Sequence, residues 1–126
     1  MIVIALVLSA AIYTPPPCKD VAPGGDRRCA IADFRRADRR MKISFQRAVH
    51  RLRSCRPLNA TRCDDRPGAI RVFSREQQTW TAWRDAHCDV IAFGVEKTSA
   101  ETMVRMDCRT GLTLTRIKEI EAVGRY

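Results

Sequence analysis

The chain has 126 residues, 45% of them apolar, with 23 Lys and Arg against 14 Asp and Glu, a formal charge of +9 and an isoelectric point near 9.9. That length allows one domain with one modest core, and the apolar share excludes disorder throughout. Six cysteines without a Cys-x-x-Cys pair, beside only two histidines, exclude zinc-type spacing and point to disulfides in an oxidising compartment.

Residues 1–11, Met-Ile-Val-Ile-Ala-Leu-Val-Leu-Ser-Ala-Ala, form an apolar run. It falls short of the roughly 20 residues a spanning helix needs. It reads as a secretory signal peptide with Ser9-Ala10-Ala11 as the cleavage site, although no Lys or Arg precedes it. Residues 12–25 follow as a Pro/Gly-rich strap, with Pro15-Pro16-Pro17 as an extended spacer before Cys18. Those prolines replace the small residues that would precede a lipid-modified cysteine.

Asp26 is placed to cap a first helix running to about Ser54. Phe34, Ala37, Met41, Phe45, Ala48 and Leu52 recur at helical spacing and mark its buried stripe. Eleven basic residues lie from Arg27 to Arg56 against two acids, Asp33 and Asp38. The polar side, with Arg35, Arg36 and Arg39 as candidate contacts, is either a solvated face or a docking surface for an anionic partner. Ile43 lies on that charged side. An anionic wall polymer, a lipid surface or an acidic protein fits an exported chain better than nucleic acid does.

Cys55 to Cys63 is a loop, continued by Pro67-Gly68. It includes Asn59-Ala60-Thr61, a glycosylation acceptor sequence discounted in a bacterial-looking chain. A second helix is expected from about Ala69 to Phe93, stopped by Gly94. Thr98-Ser99-Ala100-Glu101 reads as a capping box opening a third helix. There Met103, Met106, Leu114 and Ile117 share one face, while Val104, Cys108 and Leu112 lie nearer the opposite one. A bend at Gly111 would reconcile them. The fold class is therefore all-α: a disulfide-stapled three-helix bundle with a long basic first helix and an antiparallel hairpin of the second and third. Six cysteines allow 15 pairings. Helix geometry favours Cys88–Cys108 across the hairpin, and the sequential pairs Cys18–Cys29 and Cys55–Cys63 then need no chain crossing.

On the second helix Phe73, Gln77, Trp80, Arg84, His87 and Ile91 fall on one side, with Trp83 and Cys88 at its margins. Trp80 and Trp83 are expected as core anchors, and His87 as a core histidine. Arg84 either joins a buried network with Glu76, Glu119 or Asp38, or is presented to a partner. His50 and His87 sit on different helices, no nucleophile motif or phosphate loop occurs, and no carboxylates pair by spacing. The residues argue no active site, so neither enzyme activity nor a cofactor, metal or small-molecule substrate is expected.

The run Gln77-x-x-Trp80-x-x-Trp83-Arg84-Asp85-x-x-Cys88 resembles the signature helix of the LprI-like lysozyme-inhibitor family. The resemblance continues through Cys108, Thr113, Arg116 and Ile120, and takes in Cys18, Cys29 and the helix bearing Asp38. It spans Cys18 to Val123 and makes residues 26–123 an LprI-like helical domain. The glycine-rich connection common before the third helix is reduced here to Gly94, and Cys55 and Cys63 look like an addition. What the resemblance implies is a secreted or periplasmic bacterial envelope protein that binds and blocks a peptidoglycan-cleaving hydrolase. The charge of +9 opposes encounter with a lysozyme that is itself cationic. The competing expectation is an envelope-binding module docking through its Arg-rich helix.

Overall fold

A computed structural model describes residues 27–55 and 65–125. The expected signal peptide, the strap, Asp26, Cys18, Cys63 and the Asn59–Thr61 sequence lie outside them. Three helices make up the described chain: α1 Arg27–Arg53, α2 Arg66–Ala92 and α3 Glu101–Ala122, with a 3-10 turn at Phe93–Val95 between the last two. No strand occurs among the described residues, and none of the helices is long and apolar enough to cross a membrane.

In α1 the residues that bury are Ala30, Ala37, Met41, Ser44, Ala48 and Leu52, at steps of three, four and seven. Small side chains occupy Ala30, Ala37 and Ser44, a heptad apart, which lets a neighbouring axis come close. Phe34 and Phe45 of the expected stripe are only half-buried; Phe45 meets Phe73 of α2 with ring centroids 4.7 Å apart. The neighbour that α1 packs against most extensively is α3, not α2. The two run parallel, because Arg51 at the end of α1 reaches the last carbonyls of α3. It donates to Val123 O at 2.9 Å, Ile120 O at 3.1 Å and Glu121 O at 3.3 Å. A guanidinium thus satisfies the acceptors and the negative dipole end of α3. Gly124 completes this terminus with φ +74°, and a Cβ there would stand 3.1 Å from Arg51 Cβ. Glycine answers both demands.

α2 runs antiparallel to both and begins three residues before the expected Ala69. Asp65 caps it, accepting from Gly68 N at 3.2 Å, and Pro67 sits in the first turn, where a missing N–H costs nothing. Pro67-Gly68 is therefore helix, not loop. A Cβ on Gly68 would lie 2.3 Å from the Asp65 carboxylate, so the cap needs glycine at that place. At the other end α2 stops at Ala92, one residue short of the expected Phe93; Gly94 lies within the 3-10 turn that follows, and the left-handed residue is Lys97, at φ 63°. The capping box forms one position out of register: Lys97 N donates to Glu101 Oε2 at 2.9 Å and Ala100 N to Thr98 Oγ1 at 3.3 Å.

The two faces expected on α3 do not conflict. Thr113, Arg116, Ile117 and Ile120 are buried, Leu114 turns outward, and Gly111 borders open space and packs against nothing. The apolar core, Met41, Ala48, Leu52, Phe73, Ile117 and Ile120, fills the half of the bundle where α1 and α3 end. Cys88–Cys108 ties α2 to α3 toward the other end, with Cα atoms 5.6 Å apart. Cys29 and Cys55 are also disulfide-bonded, while the expected pairings with Cys18 and Cys63 involve residues outside the described set.

Candidate functional site

Between the apolar core and the disulfide, the bundle is held by charge and aromatic faces. Arg84 is 3% exposed. It reaches Asp38 Oδ1 on α1 at 3.1 Å, Thr113 Oγ1 on α3 at 3.0 Å and its neighbour Asp85 at 2.9 Å. Its guanidinium also lies over the rings of Phe34 and Trp80, at 5.0 and 5.4 Å. One side chain thereby joins all three helices. Asp38 is the partner among the three expected carboxylates; Glu76 and Glu119 belong instead to Arg116.

Arg116, also buried, donates from Nε to Gln77 Oε1 at 3.1 Å and from Nη1 to Glu119 at 2.8 Å. Its Nη2 stands 2.8 Å from Glu76, close as an ion pair but outside hydrogen-bond alignment. The Arg116 guanidinium lies 5.5 Å from the Trp80 ring, so two cations stand within cation–π range of the indole. Gln77 turns its amide nitrogen to Met41 Sδ at 3.3 Å. Below Arg84, Arg109 approaches Asp85 and Asp89 and lies 5.8 Å from the Phe34 ring, while Arg105 pairs with Asp89 and Glu101. Of the Arg105–Asp89–Arg109 ladder the sequence shows one half, Asp85 and Asp89 at i and i+4, and no spacing links it to the arginines of α3.

The signature residues Gln77, Trp80, Arg84, Asp85, Cys88, Cys108, Thr113 and Arg116 therefore meet one another inside the molecule. Three expectations on this helix are corrected. Trp80 is half-buried rather than fully enclosed. Trp83, at 49% exposure, is no core anchor, and His87 is an exposed histidine stacked on Trp83 at 5.1 Å. The physical reason is the drift of the buried row, which follows Phe73, Arg84, Cys88 and Ala92 because the disulfide draws Cys88 onto α3. His87 and Ile91 are rotated outward. Arg84 as a direct contact for a partner is likewise overturned by its burial.

Electrostatics follow the contacts. Burial works to raise the Asp38 pKa, but hydrogen bonds from Lys42 and Arg84 outweigh it and hold the carboxyl below its ordinary value. Glu101 is lowered by the Lys97 backbone N–H and by Arg105. Asp107 is pushed up, by desolvation first and then by Asp33 across on α1.

Two outward faces remain. On α1, Arg35 and Arg39 are exposed, whereas Arg36 is paired with Asp33. On α2, Val72, Trp83 and Val90 line one outward side, continued by Phe93 at 72% exposure, while the half-exposed Ile91 lies about 100° round the axis from Val90. An open hollow of about 610 Å³ adjoins its end, lined by Asp89, Val90, Ala92, Phe93, Glu96 and Arg105. No group of three His, Cys, Asp or Glu stands together as a metal site among the described residues.

A family profile described as "Lysozyme inhibitor LprI" matches residues 18–120. Neither a curated protein nor a solved structure matches the chain.

Proposed function

Since the chain belongs to the LprI lysozyme-inhibitor family, we propose that it is an exported, non-catalytic protein that binds and blocks a lysozyme-type hydrolase through the outward face of α2. The observation that carries this reading is where apolar surface and charge lie on α2. Trp83, Val90, Ile91 and Phe93 are each about half exposed or more, an unusual concentration for a surface helix. The segment Gln77–Phe93 contains one Arg, which is buried, and two Asp, which are paired with Arg84, Arg105 and Arg109, so it adds no exposed cation of its own in a chain of +9.

A cationic enzyme repelled by the rest of the molecule meets no exposed cation of that segment, which eases the electrostatic objection locally. Glycoside hydrolysis by such enzymes needs two carboxylates flanking a sugar cleft. An aromatic helix face laid across that cleft excludes substrate sterically and requires no chemistry of the inhibitor. Trp83, braced by His87, has the large rigid surface of a binding anchor. The family is one of secreted or periplasmic proteins, where such an enzyme would be met.

The test is a dose-response measurement of lysozyme activity on cell-wall suspension with the oxidised protein. Wild type should inhibit, and Trp83→Ala should raise the inhibition constant at least tenfold, the loss of a central anchor. Equal inhibition by both proteins would remove Trp83 from the interface.

A further inference from the structure

The second outward face carries an inference independent of enzyme inhibition. α1 is 27 residues long, about 40 Å at helical rise, and no carboxylate lies in ion-pair reach of Arg35, Arg39, Arg40 or Arg47 among the described residues. The only two acids on the helix are spent elsewhere: Asp33 holds Arg36, and Asp38 turns to Arg84 and Lys42. All four arginines are exposed, away from the buried stripe.

From these observations we infer that the free face of α1 docks the protein on an anionic phospholipid bilayer. The arginines form a band rather than a line. Arg35 and Arg39 lie on one edge and Arg40 and Arg47 on the other, about 100° apart around the axis. A single linear polyanion neutralises one edge and leaves the other unpaired. A plane of phosphate head groups reaches both, since long guanidinium side chains lean from either edge toward one surface. Ile43 stands between the two edges and is 48% exposed. In water it is an unexplained apolar group on a charged face; at the head-group boundary it is buried. The contact is peripheral and electrostatic, and it leaves the α2 face open on a different helix.

Vesicle co-sedimentation with the oxidised protein tests this, using neutral phosphatidylcholine alone and with about one-third phosphatidylglycerol. Wild type should bind only the anionic vesicles, at least tenfold more weakly on going from low to physiological salt. Arg35→Gln/Arg39→Gln/Arg40→Gln should weaken binding by roughly a hundredfold, at about fivefold per arginine near the surface. A control with the same charge change elsewhere, Arg71→Gln/Arg75→Gln/Lys118→Gln, should retain most of the binding. Ile43→Ser should weaken binding without changing its salt dependence. Equal losses in the two triple variants would replace the band by net charge alone and overturn the inference. So would equal binding to neutral vesicles, or binding to soluble polyphosphate while anionic vesicles are ignored.

Discussion

Arg84 shows how a single residue sets the register of a small bundle. Its ionic partner is on α1, its hydroxyl partner on α3 and its stacking partner one turn before it on α2. Arg84→Ala should destabilise the fold by about 3 kcal/mol, because it strands Asp38 and Thr113, and Arg84→Lys should recover little of this. Chemical denaturation measures both. Trp80, half-buried beside two guanidiniums, should lose about 2–3 kcal/mol on change to Ala, less than a fully enclosed Trp. Acid has a signed effect here. The folded-state pKa of Asp38 is depressed, so its contribution is complete above the unfolded value near 3.9 and is lost as pH falls through the folded one. The stability gap between wild type and Asp38→Asn should therefore close below about pH 4. Asp107 works the other way: with its folded pKa raised, it loses stability as pH rises through that value. Asp107→Asn should melt higher than wild type at neutral pH, and the advantage should vanish in acid. That Arg84 needs a carboxylate was legible in the sequence, but which of Asp38, Glu76 and Glu119 supplies it was not, because that depends on how the helices pack. Nor was the exposure of Trp83 and His87. Adjacent positions on a helix differ by about 100°, and only the disulfide decides whether His87 or Cys88 turns inward.

At the scale of elements, three helices could be read from periodicity, and their ends were read least well. The start of α2 is hidden in the sequence because Pro67-Gly68 has the composition of a turn, and only the Asp65 cap, accepting from Gly68 N, makes it helix. Asp65→Ala and Gly68→Ala should each cost about 1 kcal/mol, and the double variant hardly more than either, since both remove one cap. The parallel packing of α3 on α1 was hidden for a different reason: the residues that seal it, Arg51 and Gly124, lie about seventy positions apart and share no motif. The Cys88–Cys108 bridge was readable from hairpin geometry. It closes a loop of sequence separation 20, and Cys88→Ser/Cys108→Ser should lower stability by about 3 kcal/mol.

For the whole molecule, most signature residues lie inside, with Trp83 the exception, and the surfaces that can meet a partner lie outside, on different helices. The signature identified the family from sequence because it encodes inter-helix contacts, which tolerate few substitutes. An interface on α2 carries no such internal constraint, and of its outward residues Trp83 alone belongs to the signature. The arginine band on α1 and the apolar face on α2 also separate two kinds of attraction, one sensitive to salt and one driven by apolar burial. Replacing Arg35, Arg39 and Arg40 by Gln should leave inhibition of a cationic lysozyme intact or improve it, since repulsion falls. The most direct test is the inhibition constant of Val90→Asn, which leaves the net charge unchanged, against a cationic lysozyme, measured beside wild type. Val90 is 71% exposed, so the variant should fold and melt as wild type does. Wild type should inhibit, with at least a tenfold loss in the variant. Equal inhibition by the two proteins, or none by wild type, would contradict inhibition through α2.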